Sequence, residues 1–311
     1  MSLGERRAAR RFALLFGACA CLTGAAAGTT VAGAASLAAR DDTGRLVRLE
    51  RPARRIVSLA PSTTELLYAA GAGRRLVGAV DYSNYPPAAK RVPRVGGAGS
   101  LDLEAIVARQ PDLVLAWAGG NARDQVARLS ALNIPVFWID PQRLDDIPSV
   151  IERLGELAGT APAARRAAAR WRARLDALRQ RYAGRGKVRV FYQIWDRPLM
   201  TVNGRQMISD VLRLCGGVNV FADLPAVAGT VSREAVLAAD PQVIIVSGAG
   251  ARRPQWLAAW RQWPQLSAVK LGQLYVVPPD IIQRQGPRIL DGAALVCRDL
   301  QRARRALAGQ R

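Results

Sequence analysis

Aromatic and charged side chains gather where short apolar runs end. Asp81-Tyr82-Ser83-Asn84-Tyr85-Pro86-Pro87 follows one such run, and Ala116-Trp117-Ala118-Gly119-Gly120-Asn121 closes another. In the second half, Gln193-Ile194-Trp195-Asp196 follows the run that starts at Val188, and Pro278-Pro279-Asp280 leads to Arg284. Aromatic rings offer broad apolar faces, and Asp280 and Arg284 can hydrogen-bond amides or carboxylates. This is recognition chemistry. Reaction chemistry lacks its parts: the chain has no His, which removes Ser-His-Asp and Cys-His catalysis and His-rich metal capture. Neither G-x-x-x-x-G-K-[ST] nor G-x-G-x-x-G occurs, and Asp145-Asp146 reads as a helix start, not an acid/base couple. The expectation is a binding protein with no cofactor and no metal ligands.

These residues need elements to position them. Leu103 to Ala116 reads LEAIVARQPDLVLA, and Arg233 to Val246 reads REAVLAADPQVIIV. Each copy places a Glu (Glu104, Glu234) in a helix-like first turn and a Pro (Pro111, Pro241) before a short apolar strand. One unit per half suggests two similar lobes around a cleft; the alternative is a chance match between common helix–Pro–strand junctions. The apolar runs Arg55–Leu59, Leu76–Val80, Leu113–Trp117 and Val136–Asp140 alternate with helical stretches, as in a parallel, helix-covered sheet. Ser62-Thr63-Thr64-Glu65 reads as a capping box for the first of these helices. Asp41-Asp42-Thr43-Gly44 predicts the turn of a small hairpin.

Pro162 opens one long predicted helix with Trp171, Leu175, Leu178 and Tyr182 on one face, stopped by Gly184-Arg185-Gly186. A second β-α series begins at Val188, continues through Val243–Val246 and Tyr275–Val277, and ends in a helix over Pro287–Leu307. The fold class expected is α/β: two Rossmann-like lobes with mainly parallel sheets, joined by one long helix. The boundaries are 1–38 for a leader, 39–157 for the N-terminal lobe, 158–185 for the connecting helix and 186–311 for the C-terminal lobe. Carboxyl ends of strands in such sheets are where ligands bind.

Arg6, Arg7, Arg10 and Arg11 precede an Ala/Gly-rich apolar run from Phe12 with Ala-x-Ala-type sites, the pattern of a cleaved export signal. Cys19 and Cys21 lack a good lipobox, so a lipid-anchored form is the lesser reading. Cys215 and Cys297 then remain as one pair in an oxidising compartment; a bridge closing that loop is worth roughly 4 kcal/mol, against the alternative of two buried thiols. The net charge of +21 comes from Arg spread over helices and mixed with acids, without a nucleic-acid motif, so no nucleic-acid partner is expected.

From Arg55 to the C-terminus the chain resembles the periplasmic vitamin B12-binding proteins of ABC importers, within the helical-backbone (class III) substrate-binding family. The resemblance lies in Ser58-Leu59-Ala60-Pro61, Tyr82-Ser83-Asn84-Tyr85-Pro86-Pro87, Pro111–Asn121, Leu214-Cys215-Gly216-Gly217, Val231-Ser232-Arg233-Glu234 and Pro287-Arg288-Ile289. It implies a periplasmic protein that captures cobalamin or a related corrinoid between its lobes. Tyr85 and Trp117 would pack on the corrin, and Asp280 and Arg284 would meet its polar rim. Cys215 and Cys297 would form the family's disulfide, and Glu104 and Glu234 would engage an ABC permease dimer, the free protein being a monomer. Ala98, Ala228 and Ile281 stand where relatives carry further pocket tryptophans, and Trp195 is the candidate to compensate. Haem or a ferric siderophore on the same fold is the alternative ligand.

Overall fold

The computed structural model describes residues 37–247 and 253–309; the leader expected over 1–38 lies almost wholly outside them. The chain opens with the antiparallel hairpin Leu37–Arg40/Leu46–Leu49. Its turn is held by Asp41, whose Oδ1 accepts from the backbone N–H of Thr43 and Arg45. Two sheets follow. The first is wholly parallel, in the order Leu76–Ala79, Ile56–Ser58, Leu113–Trp117, Val136–Ile139. Its strands are short and buried on both faces, as continuous β-branched and Leu runs require.

The second sheet is mixed. Val188–Trp195 lies at its centre, parallel to Val243–Val246 and Gly217–Asn219, and Val243–Val246 is parallel to Leu274–Val276. Met200–Val202 and Ala228–Thr230 add two antiparallel strands on the other side. Neither strand was legible in the sequence, because three-residue segments carry too few side chains to show a period.

The connecting helix spans Ala161–Tyr182 with Pro162 in its first turn. It buries Ala164, Ala168, Trp171, Leu175 and Tyr182, with Leu178 packed beside them, so the face expected from spacing is the face used. One hydrophobic core runs from the hairpin (Val47, Leu49) through Trp171 and Leu175 to the C-terminal helix Ile289–Ala308 (Leu290, Val296, Leu300). Each lobe adds its own cluster on the outer face of its sheet. The two lobes thus share apolar packing across the helix that joins them. Cys215 and Cys297 form a disulfide, tying the end of helix Met207–Leu214 to the C-terminal helix.

The first helix differs from expectation. It starts at Pro61, with Ala60 as the N-cap, and Thr63 Oγ1 accepts from the Ala60 N–H at 3.2 Å. Proline already supplies the first-turn φ and lacks the N–H a cap would satisfy, so the start moves ahead of Ser62. Glu65 is therefore free of capping duty.

Candidate functional site

The carboxyl ends of both sheets meet at a cleft built from the short loops after each strand. Trp117 ends strand Leu113–Trp117, and its indole lies over the loop that follows. A Cβ placed on Gly119 or Gly120 would come within 2.9 or 2.1 Å of that ring, so only glycine leaves the indole its place. Asn121 fixes the loop: its Oδ1 accepts from Trp117 N–H at 2.7 Å, and its Nδ2 donates to Leu59 O at 2.9 Å and Ala98 O at 2.8 Å. One buried amide thus staples three loops of the N-terminal lobe. From the opposite lobe, Gln285 Oε1 accepts from Trp117 Nε1–H at 2.8 Å.

The cleft has two adjoining chambers of about 590 Å³ each, meeting at Trp117 and Gln283. The first carries Asp140 and Gln142 on one wall and Ile194, Trp195, Met200 and Val202 on the other. Burial, with the Asp42 carboxylate as a second cause, pushes the Asp140 carboxyl above the usual carboxylate range. The second is lined by Tyr82, Asn84, Pro278, Pro279, Asp280 and Arg284. Apolar walls with a few convergent amides and charges are the usual make-up of a small-molecule site.

Arg284 reaches across the lobes. It donates to Glu65 Oε1 at 2.9 Å, Asn84 Oδ1 at 2.8 Å, Tyr82 O at 3.1 Å and Asp280 Oδ1 at 3.0 Å. Arg288 donates to both oxygens of the same Glu65, at 2.9 and 2.6 Å. The Glu65 side chain is 1% exposed, and two guanidiniums pair with it. Burial opposes the Arg288 charge, but its bonds to Glu65 outweigh that and raise its pKa. Removing Glu65 takes from both guanidiniums the buried carboxylate they share, at a cost of about 3–5 kcal/mol.

Of the residues expected at the site, Trp117, Trp195, Asp280 and Arg284 line the cleft. Tyr85 does not join them: it stacks under Arg288, 4.0 Å from the ring centroid, and lines a separate cavity of about 490 Å³ against Trp171 of the connecting helix. Tyr82 takes the cleft position instead. It is 80% exposed with φ of +61°, a conformation disfavoured for a bulky residue and braced here by the Arg284 bond to its carbonyl. Sequence reasoning also missed Glu65, Asn121, Gln283 and Gln285. Asn121 had a signal in its Gly-Gly-Asn context; the two glutamines had none.

Glu104 and Glu234 lie outside the cleft in matching settings. Asp102 caps helix Leu103–Ala108 through the Ala105 N–H at 2.8 Å, and Ser232 caps Arg233–Ala239 through the Ala235 N–H at 3.1 Å. Both glutamates are exposed in the first turn. A hydrogen bond from its own backbone N–H, with Ser232 adding to it, holds the Glu234 carboxyl below its ordinary pKa. Among the described residues no group of three or more His, Cys, Asp or Glu is placed to hold a metal ion, and no helix is long and apolar enough to cross a membrane.

Residues 56–281 match the family described as periplasmic binding protein. The vitamin B12-binding protein of Yersinia pestis (strain Pestoides F) is 39% identical over 248 residues, covering 80% of this chain and 86% of that protein. A solved periplasmic vitamin B12 binding protein of Vibrio cholerae superposes with a TM-score of 0.76 at 38% identity, over 81% of this chain and 98% of that one. A periplasmic haem binding protein from Pseudomonas aeruginosa shares the fold at 24% identity and a TM-score of 0.71, over 79% and 91% of the two chains.

Proposed function

The chain belongs to the periplasmic binding protein family, and from that premise we propose that it captures cobalamin or a related corrinoid in its inter-lobe cleft and delivers it to an ABC permease. The observation that carries the ligand is the paired chamber around Trp117. A corrin is a broad, flat macrocycle rimmed with amides. It needs a long apolar slot with polar groups at its edge, and Trp117, Ile194, Trp195 and Met200 offer the slot while Asp140, Gln142, Gln283 and Asp280 offer the edge. In this reading Tyr82, Trp117 and Trp195 contact the ring, and Arg284, locked to Glu65, presents a fixed rim. A base-on cobalamin brings its own lower axial ligand, so no protein His is required.

The protein acts by binding alone, without catalysis, after removal of a leader over 1–38. The lobes span 39–157 and 186–311, and Glu104 and Glu234, one per lobe, are the permease contacts. Free in the periplasm it is a monomer. Isothermal titration of the mature chain with cyanocobalamin is expected to saturate at one per chain; a folded protein that gives neither heat nor a thermal shift overturns the ligand.

Haem is the competing reading, because Tyr82 is exposed in a cleft chamber and a phenolate can ligate iron. It predicts a Tyr-ligated Soret band with hemin that is lost in Tyr82→Phe. The corrinoid reading predicts no such band.

A further inference from the structure

Beyond Trp195 the cleft has a neighbour. A cavity of about 540 Å³ lies against the C-terminal lobe, and Trp195 is a wall both of it and of the first cleft chamber. Its other walls are Asp196, Arg197, Arg233, Gln255 and Trp256. Trp195 and Trp256 meet edge to face with centroids 5.8 Å apart, and Trp195 remains 46% exposed. The Trp195 indole N–H donates to Arg197 O at 3.1 Å, so the ring and the Arg197 backbone hold one another in place. Arg197 lies 3.5 Å from Asp196 with its side chain 89% exposed, and Arg233 spreads its guanidinium over Trp263 at 5.8 Å. The cavity wall thus carries two guanidiniums and one carboxylate, and that carboxylate also accepts from Gln193 Nε2 at 3.4 Å. The result is an indole-walled side pocket with a cationic surplus, opening beside the proposed corrin chamber.

We propose that this side pocket is a subsite for the phosphodiester-bearing nucleotide arm of a complete corrinoid, so that the protein discriminates cobalamin from arm-less cobinamide. The inference rests on the corrinoid reading above. Guanidiniums bind phosphodiester oxygens through directed, charge-assisted hydrogen bonds, and indole faces accept the apolar side of a sugar or base. Arg197, Arg233 and Trp256 line this cavity and neither of the two ring chambers. The pocket also explains why Trp195 stands at the end of its strand: it divides the ring chamber from the arm chamber and contributes a face to each.

The test is a calorimetric pair, cyanocobalamin and dicyanocobinamide, titrated into the wild-type chain and into Arg233→Gln, Arg197→Gln and Trp256→Leu. The wild type is expected to prefer cobalamin. Each arginine variant is expected to lose about tenfold in cobalamin affinity, the worth of one charge-assisted bond, with cobinamide affinity unchanged. The cobalamin preference is also expected to shrink as salt is raised. The arginine substitutions change one side chain at or near the surface, so they keep the test decisive if Trp256→Leu does not fold. Equal losses for both ligands, or no loss for either, overturn the arm subsite while leaving corrinoid capture intact. A wild-type chain that binds neither ligand overturns the corrinoid reading, and the arm subsite with it.

Discussion

The Trp117 indole owes its position to what is missing beside it. Gly120 leaves the ring its room, since a methyl there would stand 2.1 Å from the indole. Gly120→Ala is therefore expected to displace the ring, break its bond to Gln285 and weaken corrinoid binding by about tenfold or more, while the loop, exposed at this point, keeps the melting temperature within a few degrees. Calorimetry with cyanocobalamin and a thermal melt on the same sample check both halves; unchanged affinity would remove Trp117 from the site. At this scale the sequence was legible where chemistry and loop context coincide. Trp117, Trp195 and Asp280 sit at or just past strand ends beside Pro, Gly or Asp, Arg284 follows four residues after Asp280, and all four line the cleft. Tyr82 and Tyr85 were not separable, because they share one loop with a left-handed turn at Tyr82, and only Tyr82 lines the cleft chamber. Glu65 was hidden for a different reason. A Glu near a helix start satisfies a local capping pattern, while its actual partners, Arg284 and Arg288, are more than two hundred residues away in the chain.

Elements repeat the lesson with different physics. Long amphipathic helices and buried parallel strands announce themselves by period, and the connecting helix and C-terminal helix fall within a few residues of expectation. The antiparallel strands Met200–Val202 and Ala228–Thr230 exist only because a neighbour offers them hydrogen bonds. The C-terminal helix also carries a cost. Burial pushes the Asp299 carboxyl up to about 6, against the opposing pull of Arg302 and Arg298. Its folded-state pKa exceeds the unfolded value of about 3.9, so the native state holds this proton more tightly. Stability contributed by Asp299 is present below about pH 4 and is lost as pH rises to about 6. Asp299→Asn removes the charged form and is expected to raise the melting temperature by about 2–4 °C at pH 7.5, an advantage that vanishes near pH 4. Melting curves of both proteins across that range read it directly, and an advantage independent of pH would assign the effect to packing.

At the scale of the whole molecule, the duplicated Glu-helix-Pro-strand phrase became two capped helices with exposed glutamates, one in each lobe. What the sequence could suggest was the repeat; what it could not supply was the inter-lobe packing, since that depends on contacts far apart in the chain. If the two glutamates are the permease contacts, replacing both Glu104 and Glu234 with Ala is expected to leave calorimetric binding unchanged and to cut vitamin B12 uptake in cells by about tenfold or more. Single replacements are expected to give intermediate uptake, as two separate anchors should. Uptake at the wild-type rate in the double variant would send the docking surface elsewhere.

The shared core has a further consequence, for modularity. Val47, Trp171, Leu175, Leu290 and Val296 belong to one continuous apolar mass, and the Glu65 cluster draws its charges from both halves of the chain. Neither half is a self-sufficient building block. A chimera that grafts the C-terminal half of a relative onto this N-terminal half inherits a mismatched seam along the joining helix. Such hybrids are expected to be insoluble unless the seam is carried over with the graft. New ligand specificities in this scaffold are thus more accessible by exchanging strand-end loops than by shuffling lobes.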